Sequence, residues 1–347
     1  MSGSSQSTKT RSRYRVIVRS PNPLGDACMS LPAVRALKQR RHDTEITICC
    51  RDNLAAMWSA RDEIDSVITF KRGLNPQEVG RIIRERGAFD EGLLLPNSFR
   101  SALEFRLGRV GNLTGYKRHG RGLMLKHAIK EPEAIEGKQH HVHRYLNLAK
   151  AMGADISDLD DLLAIPAAPT PLQQNLSEIH VGVCPGAEYG NAKRYPIDRY
   201  ASALQSLREN HPELVFRISV FGSPAEEGIG EELSSLIDEP RENRAGKTSM
   251  ADLVKELKTC HFVATNDTGT MHLAAALGVP TVAIFGSTEP IFTAPIGTVH
   301  RVIRHQVDCS PCFLRECPVD YRCMLQVEPE TVLNEMETLL KEVFPTD

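Results

Sequence analysis

Three short polar stretches of this chain carry residues able to bind an anion or move a proton, and each follows an apolar run. The first, NPLGDA, spans residues 22–27. Gly25 permits a tight turn or the close approach of a ligand, and Asp26 follows at the mouth of a helix. There Asp26 reads either as a residue that caps the helix and favours its dipole or as a reactive carboxylate. The second stretch, PGAEYGNAKRYP (185–196), joins backbone-exposing glycines, Gly186 among them, to the adjacent cations Lys193 and Arg194. A diphosphate requires that combination, although a solvated surface loop shares its composition. The third, ATNDTGTMHLAAALGVPTVAIFGSTEP (264–290), places Asn266, Asp267, Thr268, Gly269 and Thr270 before a helix over 271–277. Unpaired N–H groups at a helix start form an anion site. Asp267 would repel a phosphate and suits sugar hydroxyls instead. His272 reads as a core or capping histidine, or as a phosphate or hydroxyl contact beside the other groups.

Elements of two kinds must position these stretches. YRVIVR (14–19) reads as a strand, followed by a helix over 29–41, a strand over 44–50, and alternating strands (67–70, 92–96) and helices (77–86, 98–107). After the Pro-rich IPAAPTPLQQN, a second series runs through a strand at 179–184, a helix at 197–208, a strand at 214–222, helices at 226–237 and 250–257 and a strand at 261–265. Alternation of this kind predicts an α/β fold with parallel sheets covered by helices, here two domains in tandem. The expected boundaries are a disordered tail 1–13, an N-terminal domain 14–165, a linker 166–176, a C-terminal domain 177–327 and a terminal segment 328–347. The helix in that last segment could pack on either domain, including back on the first. In open parallel sheets ligands sit beyond the carboxyl ends of the strands, where all three stretches fall. Neither series carries G-x-G-x-x-G after its first strand, and no Walker loop is present.

The chain has 347 residues, 41% of them apolar and 25% charged, with a formal net charge of -2. That balance argues against nucleic acid as the main partner. No run approaches the roughly 20 apolar residues of a membrane helix, and the Ser-rich, basic first 13 residues lack the apolar region of a signal peptide, which predicts a cytoplasmic protein.

The segments PNPLGDACMSLPAVRAL, LPNSFRSALEFRLGR, TGYKRHGRGLML, PGAEYGNAKRYP, FGSPAEE, TNDTGTMHLAAALGVPTVAIFGSTEP and DCSPCFLRECPVDYRCM together resemble the ADP-heptose:lipopolysaccharide heptosyltransferase family, above all its type II enzymes. The resemblance implies a GT-B architecture, two Rossmann-like domains facing across a cleft. It implies an inverting transfer of heptose from ADP-heptose to the heptose/Kdo inner core of lipopolysaccharide, with no cofactor required. Asp26 would be the general base. Lys193 and the backbone at Thr268, Gly269 and Thr270 would stabilise the departing diphosphate. Gly186, Arg194 and Asn266 would line the donor site, Asp267 would hold heptose hydroxyls, and His272 would support the phosphate end. Glu226 or Glu227 would contact the ribose. For a lipid A-Kdo-core acceptor at the inner membrane surface, Gly25 and the basic residues Arg72, Arg100, Lys117, Arg118 and Arg121 are the expected contacts. Peripheral contact with the cytoplasmic face of that membrane follows from a lipid acceptor.

Cys309, Cys312, Cys317 and Cys323 form C-x2-C-x4-C-x5-C. A structural zinc ion or iron-sulfur cluster would use such thiolates, but only the first pair has metal-knuckle spacing, and a loop of reduced thiols is the favoured reading. The Asp-rich DLDD (158–161) reads as solvated charge and helix capping rather than a metal site. Three alternatives stand beside the heptosyltransferase reading: a GT-B enzyme of different donor or acceptor, a non-catalytic nucleotide-sugar-binding protein, and a metal-dependent interaction module.

Overall fold

The computed structural model describes residues 13–132, 139–165, 178–238, 241–297 and 299–343. The expected linker, and all of the expected tail except residue 13, lie outside them. β1 (Tyr14–Arg19), β2 (Thr44–Arg51), β3 (Ser66–Phe70), β4 (Glu91–Leu94), β5 (Leu113–Tyr116) and β6 (His127–Ile129) form one sheet in the order β3-β2-β1-β4-β5-β6. β7 (Glu178–Cys184), β8 (Val215–Val220), β9 (Arg241–Asn243), β10 (Phe262–Asn266), β11 (Thr281–Phe285) and β12 (His300–Arg304) form another, ordered β12-β11-β10-β7-β8-β9. Every pairing in both is parallel, with Val16 opposite Ile46 and Val263 opposite Thr281 as examples of the register. Helices cover both faces, so central strands such as β10 are buried along their whole length, here Phe262, Val263 and Ala264 followed by the polar Thr265 and Asn266.

The strand order reverses between β1 and β4 in the first sheet and between β7 and β10 in the second. Chains leaving adjacent strands on either side of such a point diverge and open a crevice. The loops after β1, β7 and β10 are the three stretches singled out above.

Several elements differ from the sequence reading. The helix expected over 29–41 is two, Leu24–Met29 and Leu31–Gln39, broken at Ser30, whose hydroxyl donates to the Ala27 carbonyl at 2.7 Å. Pro32 lacks the N–H that a continuous helix would need there. β5, β6, β9, β12 and the helix Val142–Ala151 were not anticipated, since strands of three to five residues carry little periodicity. The terminal helix Pro329–Val343 does not return to the N-terminal half. It buries Val332, Met336 and Leu339 with Val181, Val282 and Ile284 of the second sheet, because its apolar stripe matches the face that sheet leaves open.

The two halves are joined by direct packing. One apolar cluster contains Val16, Ile46 and Leu93 from the first half together with Val263, Leu273 and Ala274 from the second. At its edge the helix Leu24–Met29 lies against the helix Gly269–Ala276. A Cβ on Gly25 would stand 2.9 Å from His272 Cδ2, and one on Gly269 would stand 3.2 Å from Leu24 Cβ. Polar contacts flank the seam: Arg61 Nη1 donates to the Ala276 carbonyl at 2.7 Å, His141 N donates to the Phe292 carbonyl at 2.9 Å, and the His141 ring stacks on Phe292 with centroids 5.9 Å apart.

Two outcomes follow from this seam. Gly25→Ala forces the helices apart and lowers stability by about 1–3 kcal/mol, read from the urea midpoint. Burial holds the His272 imidazole near pKa about 4, below the ordinary 6.5, so its neutral form stabilises the folded state at neutral pH. That contribution is lost as pH falls from about 6.5 towards 4, up to ~3 kcal/mol. The stability difference between pH 7 and pH 5 is therefore smaller in His272→Asn than in the wild type.

Candidate functional site

After β1 the chain runs through Ser20–Pro23 into the helix Leu24–Met29, and Asp26 falls in its first turn. The Asp26 carboxylate caps no backbone N–H of that helix; its Oδ1 accepts a hydrogen bond from Tyr145 OH at 3.0 Å. Tyr145 projects from the helix Val142–Ala151, which packs on Leu31–Gln39. Burial and the neighbouring Asp26 push the phenol's pKa upward, so it remains a donor. The residues just before that helix, His140 and His141, are the ones bonded to the C-terminal half. The group that orients Asp26 is thus anchored across the seam.

On the opposite side, Asn266 ends β10 and is fully buried. Its Oδ1 accepts from Tyr195 N (3.2 Å) and Tyr200 OH (3.1 Å), and its Nδ2 donates to the carbonyls of Pro185 (2.7 Å) and Gly186 (3.2 Å). Asn266 staples the β7 and β10 loops together, and its amide has no capacity to spare for a ligand beyond that. This corrects its expected place among ligand contacts. Asp267, 5% exposed, accepts from Lys193 Nζ at 2.5 Å and from Thr288 Oγ1 at 2.7 Å on the same Oδ2. Lys193 also lies 4.7 Å above the Tyr189 ring. Thr268 caps the next helix, accepting from Met271 N at 3.3 Å, and leaves the N–H groups of Gly269 and Thr270 at the helix start. That start abuts Leu24.

Unsatisfied polar atoms fall in the same loops. Asn22 Oδ1, Arg194 Nε, His272 Nδ1 and Ser287 Oγ are each buried without a hydrogen-bond partner among the described residues. Buried polar atoms normally find partners; these four, among twelve such atoms in the described residues, lie in the segments that follow β1, β7, β10 and β11.

Of the two glutamates left open, Glu226 is buried. Its Oε2 accepts from Ser223 N (2.7 Å) and Ser223 Oγ (2.8 Å), and its Oε1 lies where a Cβ on Gly186 would come within 2.2 Å. Glu227 points to solvent and pairs with Lys247 at 3.2 Å. Glu226 is therefore the one beside the β7 loop.

The basic residues of the N-terminal half divide. Arg72 and Arg100 line a pocket with Arg19, Asn22, Arg51 and Lys71 at the carboxyl ends of β1–β4. Buried Glu104 holds two of these cations, Arg19 at 3.1 Å and Arg100 at 2.9 Å. Lys117 and Arg118 are exposed on a separate loop, where Arg118 pairs with Glu131 at 2.7 Å. Arg121 is fully buried, donating to the backbone carbonyls of Tyr116 (2.9 Å), Pro96 and Ser98 (3.2 Å) and to Asn97 Oδ1 (3.1 Å). Its charge faces carbonyls rather than any incoming anion, which corrects its expected role as an acceptor contact.

The four cysteines near the C-terminus are free thiols in one neighbourhood: burial raises the pKa of Cys323, and Cys312, Cys317 and Cys309 add to that. Cys323 is buried in the apolar cluster of the second half, Cys309 is exposed, and Cys317 Sγ accepts from Tyr321 N at 3.3 Å. Among the described residues no group of three or more His, Cys, Asp or Glu is placed to hold a metal ion. Asp158 caps the helix Leu159–Leu163 through Asp161 N at 2.9 Å, the capping role read for DLDD.

Tyr145, Thr288, Arg19, Arg51 and Glu104 were absent from the sequence reading. Only Tyr145 left a usable signal, an amphipathic run after HHV that fits a helix of ten residues.

Comparison with known proteins adds identity to this geometry. The family model described as glycosyltransferase family 9 (heptosyltransferase) matches residues 78–322. The lipopolysaccharide heptosyltransferase 2 of Salmonella typhimurium is 29% identical over 360 residues, covering 94% of this chain and 99% of that one. The solved structure of Escherichia coli ADP-heptose lps heptosyltransferase II superposes with a TM-score of 0.76 at 26% identity, covering 94% of this chain and 99% of that one. A family 9 glycosyl transferase from Veillonella parvula shares the fold, with a TM-score of 0.77 at 21% identity over 95% of this chain and 98% of its own. The architecture is GT-B, and among the described residues no helix is long and apolar enough to cross a membrane. With more than half of its length inside the family model, this chain belongs to glycosyltransferase family 9, the heptosyltransferases.

Proposed function

We propose that this enzyme transfers L-glycero-D-manno-heptose from ADP-heptose to the heptose/Kdo inner core of lipopolysaccharide, with inversion. The observation that carries the reading is the position of Asp26: a carboxylate held by Tyr145 in the domain seam, on a helix packed against the start of Gly269–Ala276. The names of the similar lipopolysaccharide heptosyltransferases support the choice of sugar and acceptor.

In the proposed step, Asp26 takes the proton from an acceptor hydroxyl as its oxygen attacks the anomeric carbon of the heptose. The bond from that carbon to the β-phosphate oxygen breaks, and its electron pair leaves with ADP. Negative charge grows on the departing diphosphate, where Lys193 and the N–H groups at Thr268, Gly269 and Thr270 are the nearest stabilising groups. Lys193 is paired with Asp267 in the absence of ligand, so donor binding would redistribute this cation between carboxylate and diphosphate. Asp267 and Thr288 then take sugar hydroxyls, and Arg194 and His272 offer the nitrogens that otherwise lack partners. Glu226, beside Gly186, is the ribose contact. The pocket of Arg51, Lys71, Arg72 and Arg100 receives an anionic group of the acceptor. The reaction takes place at the inner face of the cytoplasmic membrane.

Two variants test the assignment. Asp26→Ala lowers turnover with ADP-heptose and a heptose-deficient core acceptor by roughly 10²–10⁴-fold while calorimetric donor affinity stays within about twofold. Loss of donor binding together with turnover would contradict a base on the acceptor side. Tyr145→Phe, which removes the hydrogen bond to Asp26 and keeps the ring, lowers kcat by about tenfold with little change in the donor KM.

A further inference from the structure

The burial of Arg121 has a second effect. By donating to the carbonyls of Tyr116, Pro96 and Ser98, it fixes the short turn Arg121–Met124 onto the loop that precedes the helix Phe99–Leu107. The chain enters this turn through His119 and Gly120, both at positive φ (50° and 73°), which projects it outward. At the tip stands Leu123, 96% exposed, the most exposed of the described large apolar side chains. Phe99, directly after the stapled backbone, is 48% exposed. One exposed leucine is ordinary on a protein surface; what sets Leu123 apart is that a fixed turn presents it within a basic surface.

The surroundings are cationic. From residue 105 to residue 130 the sequence contains no Asp or Glu and seven Lys or Arg. Lys117, Arg118, His119, Lys126, His127 and Lys130 are exposed around the turn. Among the described residues Glu131 faces them, pairing with Arg118 at 2.7 Å and with Arg144 at 2.5 Å, and Lys126 donates to Asn112 Oδ1 at 3.0 Å. A basic surface with an apolar tip is what an anionic bilayer attracts: the cations meet the headgroups and the side chain enters the boundary with the acyl region.

We propose that the turn Arg121–Met124 and its surrounding cations dock this protein on an anionic lipid surface, with Leu123 as the inserting residue. The docking is weak and reversible, because one apolar side chain and a few cations add up to a marginal affinity. The inference rests on the membrane setting of the proposed function and names the element that makes the contact; vesicles without donor or acceptor test it separately from the reaction.

The test uses the full chain and vesicles of phosphatidylethanolamine and phosphatidylglycerol, with phosphatidylcholine vesicles as the neutral control. Trp58 is the chain's single tryptophan and is fully buried, so Leu123→Trp adds one exposed reporter. The added emission should shift to the blue and resist aqueous quenchers on anionic vesicles alone. In sedimentation, Leu123→Asp should lower the bound fraction by roughly tenfold and Lys126→Glu by about fivefold or more, with unchanged thermal midpoints. Wild-type binding retained by Leu123→Asp, an emission of Leu123→Trp that does not shift, equal binding to neutral vesicles, or affinity for a nucleic acid in place of vesicles would each overturn the proposal.

Discussion

Everything at this site depends on how closely the helix Leu24–Met29 approaches the helix Gly269–Ala276. The approach is set by two missing side chains, at Gly25 and Gly269, and by the flat edge of a buried His272 lying against the first of them. The apolar cluster that spans both halves makes this contact part of a core rather than an incidental touch between surfaces. Dense cores resist gradual deformation, so the seam fixes where the loop after β1 stands relative to the loop after β10. Asp26 and the helix start at Thr268–Thr270 then share one crevice although they come from different sheets. The helix carrying Tyr145 is tied to the C-terminal half just ahead of its first turn, which extends the same constraint to the side chain that orients Asp26.

A second layer of order is electrostatic. Lys193 and Asp267 are nearly buried and paired, Thr288 bonds the same carboxylate oxygen, and Asn266 locks the two loops that carry them. Buried ion pairs add little net stability, but breaking one strands a charge in a poorly solvating environment. Such groups keep their geometry until a ligand of matching charge offers an exchange of partners. Glu104 performs a comparable task in the N-terminal half, where its two oxygens bridge Arg19 and Arg100, with Arg51, Lys71 and Arg72 lining the rest of the pocket. Charged groups are thus held in place in both halves, the kind of arrangement that the proposed electrostatic stabilisation would use.

The sequence made the architecture legible because the elements that define it are long and apolar. β1, β2, β7, β8 and β10 could be read by period, and the polar stretches could be placed beyond their carboxyl ends by fold rules, whereas the strand order that makes those ends a switch point came from the structure. The positions of Asp26, Lys193, Asp267 and His272 were legible for the same reason, since each follows such a strand at a helix mouth or in its loop, whereas the roles given to them came from the family resemblance. Arg121 was misread because its charge looks the same in sequence as that of Arg118; only the fold shows that five backbone and side-chain oxygens enclose it. Asn266 likewise reads as a ligand contact until its amide is seen saturated by Tyr195, Tyr200, Pro185 and Gly186. Tyr145 was missed because its partner lies 119 residues away, and the terminal helix was left without a definite half because an apolar stripe does not say which face it will meet. Long-range pairing is what local pattern omits.

The measurement that bears most directly on the proposed function is the comparison of kcat/KM for ADP-heptose, ADP-glucose and UDP-GlcNAc with a heptose-deficient core acceptor. Turnover with ADP-heptose at least about a hundredfold above the other two, from a site that must match both the sugar and the adenosine diphosphate, is the expected result. Binding of ADP-heptose without turnover, or a preference for either of the other donors, would contradict it.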